Sequence, residues 1–190
     1  MHFHHKFEKR MQSQLMSSGI LHLTLYDPAR RNALSEAMLA ALGAAFDAAS
    51  TNADVRVIIL SAAGPVFCAG HDLKEMTAGR QNADRGRAYF TKILDQCSSV
   101  MQKIVTCPKP VIAEIDGVAT AAGCQLVASC DLAVASKDAQ FCTPGVHIGL
   151  FCSTPMVALS RNLANKHAME MLLTGDIVSA SRAAEMGLVN

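Results

Sequence analysis

The sequence predicts an α/β domain whose strands pair mainly in parallel. Short β-branched runs alternate with longer stretches of helical periodicity, the strand candidates are almost continuously apolar, and turn residues separate them. The chain has 190 residues, of which 51% are hydrophobic, so one sizeable core is expected. We expect a flexible N-terminal tail over residues 1–18 and a single core domain over residues 19–190.

The first part of the chain predicts two strands with a helix between them. Leu21, Leu23 and Leu25 alternate with polar residues, the pattern of a strand with one buried face. Ser35 is a suitable cap for the helix that follows. Residues 55–61 are apolar almost throughout, as in a strand that is buried on both faces.

Two loops and a long helix follow. Residues 62–73 form an apolar, glycine-containing loop, which approaches a ligand or another backbone closely or is simply buried under a neighbouring element. Residues 77–85 are polar and predict a mobile surface loop. From Tyr89 to Val105 the apolar positions keep helical spacing, and Pro108 ends the pattern.

The most informative segment covers residues 108–136. Residues 111–115 predict a buried strand, which a turn at Gly117 ends. The next helix is apolar on all sides over residues 121–130, so it belongs in the core. Its first turn, residues 121–123, leaves backbone N–H groups unshielded by side chains. Such an end can hold a phosphate or the oxyanion of a reacting carbonyl, although ordinary packing of a helix on a sheet explains the same residues.

The last third predicts two strands and three helices. The strands are residues 132–135 and 140–142. The helices begin near Ser153, Asn165 and Ser179. The residues of the second of these helices that we expect to face the core are Met169, Leu172 and Leu173.

Charge and cysteine content argue against several classes of function. The net charge is +1 and the basic residues are scattered, which argues against nucleic acid or an anionic membrane surface as a partner. The seven cysteines include no C-x-x-C pair and lie mostly in apolar runs, so we expect reduced thiols and no metal site. No run is long and apolar enough for a membrane span. The expected location is the cytoplasm, with the mitochondrial matrix as the alternative.

Four motifs resemble those of the crotonase superfamily, the enoyl-CoA hydratase/isomerase group, and they follow one another in the order found in that family. They are residues 27–35 (Asp-Pro-Ala-Arg-Arg-Asn-Ala-Leu-Ser), residues 67–74 (Phe-Cys-Ala-Gly-His-Asp-Leu-Lys), residues 115–124 (Ile-Asp-Gly-Val-Ala-Thr-Ala-Ala-Gly-Cys), and residues 173–175 with 187–189. The resemblance implies a ClpP/crotonase-like spiral of β-β-α units. It also implies a site for acyl-CoA thioesters, with no cofactor other than the coenzyme A of the substrate.

The resemblance places the catalytic groups at four positions. Family members polarise the thioester carbonyl with two backbone N–H groups, which here belong to His71 and Ala122. Preset donors that are shielded from water suit this chemistry. Hydratases of the family also use two glutamates, but the matching residues here are Gln125 and Gly145. Glutamine cannot exchange a proton at neutral pH and glycine has no side chain, so the paired-carboxylate mechanism is absent.

The resemblance also implies residues that contact the substrate. They are Arg31, Ala33, Leu34, Ala69, Gly70, Asp72, Leu73, Lys74, Gly117, Gly123 and His147. For Arg31 and Lys74 a solvated surface charge is an equal explanation, and Asp72 suits capping of its loop better than catalysis. Histidine is the residue type that most readily exchanges a proton at neutral pH, so His147 is a further candidate catalyst, with Cys152 or Ser153 beside it, although such a histidine is more often structural.

Three functions follow from these residues. The first is an enzyme of acyl-CoA metabolism, by family a lyase or isomerase, that stabilises a thioester enolate or tetrahedral oxyanion. The second is a thioester hydrolase. The third is a non-catalytic acyl-CoA-binding or regulatory subunit, which the missing glutamates favour. The resemblance further implies helices beyond residue 190 that join subunits into a homotrimer or hexamer, and we expect this C-terminal part to be missing here.

Overall fold

A computed structural model describes residues 10–190, in which nine strands and seven α-helices alternate. The strands are β1 (Met11–Leu15), β2 (Ile20–Leu25), β3 (Val57–Ala62), β4 (Val66–Cys68), β5 (Val111–Ile115), β6 (Val118–Thr120), β7 (Leu132–Ala135), β8 (Gln140–Cys142) and β9 (Val178–Ser179). The helices are α1 (Glu36–Thr51), α2 (Leu73–Gly79), α3 (Arg87–Val105), α4 (Ala122–Ser129), α5 (Ser153–Asn162), α6 (Asn165–Thr174) and α7 (Ala180–Met186). Among the described residues, no helix has the length and apolar character needed to cross a membrane.

The strands form two sheets that the chain visits in turn. The first sheet has the order β1-β2-β3-β5-β7 and the second the order β4-β6-β8-β9. The pairs β1–β2 and β8–β9 are antiparallel, whereas the other pairs are parallel. In β3-β4, β5-β6 and β7-β8, one strand joins each sheet before the chain enters a helix. The predicted α/β spiral of β-β-α units is therefore confirmed.

The N-terminal boundary differs from the prediction. Residues 11–15 form the edge strand β1, in which Met11 lies opposite Leu25 of β2, whereas the sequence predicts a flexible tail over residues 1–18. Residues 1–9 of that tail lie outside the described residues. The strand is hard to identify because its middle residues are polar, and its pairing with β2 is what buries Met11.

Helix α1 starts as the sequence predicts. The hydroxyl of Ser35 accepts a hydrogen bond from the N–H of Met38 at 3.1 Å. This capping satisfies one of the donors that a helix start leaves unpaired. Leu39, Leu42 and Phe46 then face the core.

Helix α2 replaces part of a predicted loop. It covers Leu73–Gly79, whereas the sequence predicts a mobile loop over residues 77–85. The side chain of Asp72 caps the helix by accepting from the N–H groups of Lys74 at 2.9 Å and Glu75 at 3.2 Å. Asp72 therefore has a capping role, as the sequence predicts, but it caps a helix that the sequence pattern did not indicate.

The inward face of α6 also differs from the prediction. Ala168, Met171 and Leu172 are buried, whereas Met169 and Leu173 are exposed. Apolar residues occupy five of the six positions 168–173, so the sequence does not single out one face.

Helix α4 is buried along its whole length, as its composition predicts. All eight residues are buried. A Cβ added to Gly123 would lie 2.2 Å from the carbonyl oxygen of Cys68, so only glycine allows α4 to approach β4 this closely. The first turn of α4 therefore lies beside the loop that follows β4.

Candidate active site

Three loops meet at the start of α4. They are residues 28–34 after β2, residues 69–72 after β4, and residue 121 after β6. A Cβ added to Gly70 would lie 3.1 Å from the carbonyl oxygen of Thr120 and 3.2 Å from the backbone nitrogen of Ala122. Gly70 also has a φ of +81°, a conformation that favours glycine. The loop after β4 thus touches the helix start through its backbone.

Backbone hydrogen bonds join the loop after β2 to the loop after β4. The N–H of Leu34 donates to the carbonyl of Gly70 at 2.8 Å, and the N–H of Ala69 donates to the carbonyl of Arg31 at 3.1 Å. Ala33 and Leu34 are buried, and the side chain of Arg31 is exposed. The two loops therefore form one unit, from which Arg31 reaches into solvent.

Asn32 holds this unit in place from the core side. It is fully buried and has a φ of +50°. Its Nδ2 donates to the carbonyls of Ala63 at 2.9 Å and Val66 at 2.7 Å, and its Oδ1 accepts from the N–H of Asp27 at 2.8 Å. Asparagine tolerates the left-handed region better than most residues. Sequence reasoning missed this role; the available signal was an asparagine in a short loop, where this residue type favours turns.

Two backbone N–H groups at this corner have no acceptor. Within residues 10–190, neither the N–H of His71 nor that of Ala122 donates a hydrogen bond to another protein group. Ala122 is the first residue of α4, and the leading N–H groups of a helix have no intrahelical partner. The family resemblance implies that these same two groups polarise a carbonyl.

Ala121 precedes α4 in a strained conformation. Its φ is 52° and its ψ is −119°, outside the regions that alanine normally occupies. Its N–H donates to the carbonyl of Cys142 at 2.9 Å, which fixes the turn between β6 and α4. Strain of this kind costs about 1–3 kcal/mol and persists only where the surroundings enforce it, often at functional sites.

Replacing Ala121 by glycine should raise the free energy of unfolding by about 1 kcal/mol, because relief of a positive φ outweighs the conformational entropy that glycine loses on folding. Urea unfolding checks this value. The control is Ala119→Gly in β6. Ala119 is buried and does not have a positive φ, so this control variant should be less stable than the unmodified chain. Equal destabilisation by both changes would contradict the strain at Ala121.

Three side chains beside this corner, those of His71, Cys68 and Cys124, favour their neutral forms. Burial lowers the pKa of His71, an effect that the nearby Leu34 carbonyl partly opposes, and neither ring nitrogen has a hydrogen-bond partner among the described residues. Burial raises the pKa of Cys68 to about 12 and that of Cys124 well above its ordinary value. Neither thiol supplies a thiolate at neutral pH. Hydrogen bonds from the two free N–H groups are therefore strengthened by weakly polar surroundings.

Gln125 lies one turn beyond Ala122 on α4 and is 7% exposed. It lines a cavity of about 120 Å³ between α3 and α5. Its Oε1 has no hydrogen-bond partner among the described residues. An amide at this place forms hydrogen bonds but cannot exchange protons at neutral pH.

Gly145 lies in a 3-10 helix, Pro144–Ile148, where the surroundings exclude a side chain. An added Cβ would lie 2.4 Å from the carbonyl oxygen of Leu150 and 2.8 Å from Sγ of Cys152. The N–H of Leu150 also donates to the carbonyl of Gly145 at 2.9 Å, which holds the segment in this position. The sequence has no carboxylate at position 145, and the atoms of Leu150 and Cys152 leave no room for one.

Two other predicted residues lie apart from the helix start. His147 is exposed, and its Nε2 lies 2.8 Å from the carbonyl oxygen of Thr174 at the end of α6. Gly117 precedes β6, where an added Cβ would lie 2.0 Å from the carbonyl oxygen of Pro65. Both contacts indicate structural roles.

The remaining predicted residues lie on α2. Leu73 and Lys74 are exposed and line an open groove of about 500 Å³ along this helix. Asp72 is buried, and Arg30 Nη1 lies 3.5 Å from its Oδ2. The groove is lined from Leu73 onward, and contact of Lys74 with a substrate phosphate stays a prediction.

A further cavity of about 240 Å³ lies between α1 and strands β1 and β2. None of the described residues that line it carries a buried polar side-chain atom without a partner. Neither His71 nor Ala122 lines it, so it is not the candidate site.

Comparisons with known proteins agree with this fold. The family model for enoyl-CoA hydratase/isomerase matches residues 16–190. The chain is 50% identical over 183 residues to enoyl-CoA hydratase domain-containing protein 3, mitochondrial, of Rattus norvegicus, covering 96% of the chain and 59% of the relative. It is 33% identical to a probable enoyl-CoA hydratase of Bacillus subtilis, covering 88% of the chain and 63% of the relative. The chain thus spans about 59% of the length of the rat relative.

Two solved structures share the fold. An enoyl-CoA hydratase of Mycobacterium smegmatis has a TM-score of 0.90 at 53% identity, covering 96% of this chain and 69% of that one. Human enoyl Coenzyme A hydratase domain-containing protein 3 has a TM-score of 0.88 at 48% identity, covering 96% and 70%. A similarity to domain-containing protein 3, which residues 119–131 and 143–155 also indicate, is confirmed. The matching model, the sequence identities and the shared fold show that the chain belongs to the enoyl-CoA hydratase/isomerase family.

Proposed function

We propose that this chain binds acyl-CoA thioesters and polarises their carbonyl with the N–H groups of His71 and Ala122. The observation that carries the proposal is the pair of free N–H groups at a corner that two joined loops and a strained turn hold in place. Such preset donors stabilise the negative charge of an enolate or tetrahedral intermediate. Family membership supports an acyl-CoA substrate, and coenzyme A enters only as part of it.

Hydration by paired carboxylates is not part of this proposal. Gln125 cannot take up or release the proton, and the surroundings of Gly145 leave no room for a glutamate. Gly145→Glu would require displacement of Leu150, so we do not expect a variant with both glutamates to restore hydration.

A non-catalytic acyl-CoA-binding role is the second candidate. Gln125 and Gly145 favour this role, because the N–H donors for the carbonyl are present while the acid and the base of hydration are absent. Thioester hydrolysis has less support, since it requires a base and His147 is engaged with the Thr174 carbonyl.

The chain should bind a short trans-2-enoyl-CoA and show almost no hydration of it. General acid and base catalysis typically contributes about 100- to 10,000-fold, and both groups are missing. Isothermal titration calorimetry measures the binding, and loss of the enoyl absorbance measures hydration, with a family hydratase as the positive control. Turnover in a wider panel of acyl-CoAs supports an enzyme, and binding alone supports the second candidate. Efficient hydration would overturn the assignment of Gln125 and Gly145.

The relatives bear on the location of this chain, whereas its assembly rests on the family resemblance alone. The rat relative is described as mitochondrial, which supports the mitochondrial alternative over the cytoplasm for this chain. Assembly as a homotrimer or hexamer stays a prediction of the family resemblance.

A further inference from the structure

We infer that Glu75 is a positioning residue for the N–H of His71. Its carboxylate joins α2 to the start of α1 and thereby keeps this N–H directed at the carbonyl of the substrate. The inference rests on the proposed function, because it assumes that the N–H of His71 holds a thioester carbonyl. Glu75 acts in this role through α2 and does not itself touch the substrate.

The peptide group between Gly70 and His71 is well held at one end only. Its carbonyl accepts from the N–H of Leu34 at 2.8 Å, and the C=O and N–H of a trans peptide point in opposite directions, so this bond turns the N–H of His71 away from Leu34. The Gly70 end lies against the backbone of Thr120 and Ala122. Glycine offers little resistance to rotation of the peptide group that follows it. The orientation of the N–H therefore also depends on what holds the chain after His71.

The side chain of His71 does not hold this end. Both ring nitrogens are buried, and neither has a hydrogen-bond partner among the described residues. The next residue, Asp72, is buried and caps α2 by accepting from the N–H groups of Lys74 and Glu75. The position of His71 thus depends on how α2 is held.

Glu75 links α2 to another helix. Helix α2 has seven residues, and four of them are exposed. Oε2 of Glu75 accepts from the N–H of Glu36, the first residue of α1, at 2.9 Å. Within residues 10–190, no other side chain of α2 forms a hydrogen bond to another helix. At the far end of α2, Gly79 packs against the ring of Tyr89, so the end near the candidate site is the one that depends on Glu75.

The surrounding charges favour this contact. The unpaired N–H groups at a helix start attract negative charge, so the carboxylate of Glu75 is well placed at the start of α1. Arg30 Nη1 lies 3.9 Å from Oε1 of Glu75 and 3.5 Å from Oδ2 of Asp72. Lys92 pairs with the carboxylate of Glu36, which reduces its repulsion of Glu75. Loss of the Glu75 carboxylate should therefore release the N-terminal end of α2.

The test measures the carbonyl stretch of butanoyl-CoA, labelled with carbon-13 at the thioester carbonyl, by isotope-edited infrared spectroscopy with all of the ligand bound. Hydrogen bonds to the carbonyl oxygen lower this frequency, and full binding makes the shift independent of affinity. Glu75→Ala should lose about half of the shift that the unmodified chain produces, because one of the two donors no longer points at the oxygen. Glu75→Gln should keep most of the shift, since its amide oxygen can still accept from the N–H of Glu36.

Two further variants separate this role from a general loss of stability. Glu75→Asp keeps the charge but is one methylene shorter, so it should lose the shift as Glu75→Ala does, and it replaces that variant if Glu75→Ala does not fold. Asp84 accepts from the N–H groups of Gly86 at 2.9 Å and Ala88 at 2.8 Å at the start of α3. Asp84→Ala therefore removes another carboxylate that caps a helix, and it should keep the full shift.

The outcomes distinguish the inference from the proposed function. A full shift in Glu75→Ala or Glu75→Asp overturns the inference, as does an equal loss in Asp84→Ala, while a shift in the unmodified chain leaves the proposed function intact. A loss in Glu75→Gln as large as that in Glu75→Ala overturns the role of the hydrogen bond to Glu36. If the unmodified chain binds butanoyl-CoA without any shift, or does not bind it, the proposed polarisation of the carbonyl is itself overturned.

Discussion

Deleting the N–H of Ala122 should lower any acyl-CoA turnover by about 100- to 1,000-fold, because removal of one preset donor typically costs this factor. A side-chain change cannot test a backbone group, whereas proline removes the hydrogen itself. Ala122 is the first residue of α4, a position that proline tolerates. Turnover is measured with whichever acyl-CoA proves to be a substrate.

The conformation of Ala121 determines how this test must be built. A residue before proline favours a ψ of about +120° to +160°, whereas Ala121 has a ψ of −119°. Glycine at position 121 lacks the Cβ that would clash, so the informative variant combines Ala121→Gly with Ala122→Pro. Ala121→Gly alone is its control. A folded double variant with the turnover of this control would exclude Ala122 as an oxyanion donor.

Asn32→Ala should lower the free energy of unfolding by about 3 kcal/mol, because three partly buried backbone groups each lose a partner, at the lower end of a cost of about 1–3 kcal/mol per group. These groups are the carbonyls of Ala63 and Val66 and the N–H of Asp27. The alanine must also adopt the φ of +50° that Asn32 has. Urea unfolding monitored by circular dichroism measures the change.

Two variants separate the causes of this loss. Asn32→Gly accommodates the left-handed backbone, so it should lose about 1 kcal/mol less than Asn32→Ala. Asn52→Ala, at the end of α1, removes an exposed interaction with the N–H of Asp54 and should cost less than about 1 kcal/mol. If Asn32→Ala behaved like Asn52→Ala, other contacts would have to hold the loops.

Local signals were sufficient for much of the fold. Ser35 and Ser179 cap helices. A serine hydroxyl just before a helix accepts a hydrogen bond from an N–H of the first turn, so the sequence alone identifies both caps. Alternation in β2 similarly identifies its buried face. Strand β1 was missed because its stability comes from pairing with β2, and pairing partners are not visible in a polar pentapeptide.

The candidate site was only partly predictable. Its resemblance to a known family indicated the backbone donors, but not the strain at Ala121 or the role of Asn32, since a φ value is set by the surrounding chain. Likewise, the closed space at Gly145 depends on Leu150 and Cys152 folding back over it. The cavity beside Gln125 requires the packing of three helices, which periodicity in each separate helix does not specify.

The parallel pairing of the sheets also bears on the order of folding. The candidate site uses the turns after β2, β4 and β6, and its strands pair with partners distant in the chain, as Val66 of β4 does with Val118 of β6. Such non-local contacts form slowly because long loops must close first. Helical structure can appear in α1 or α3 alone, but the pair of free N–H groups exists only once the separate units have docked. During refolding, recovery of acyl-CoA binding should therefore lag behind recovery of the helical signal.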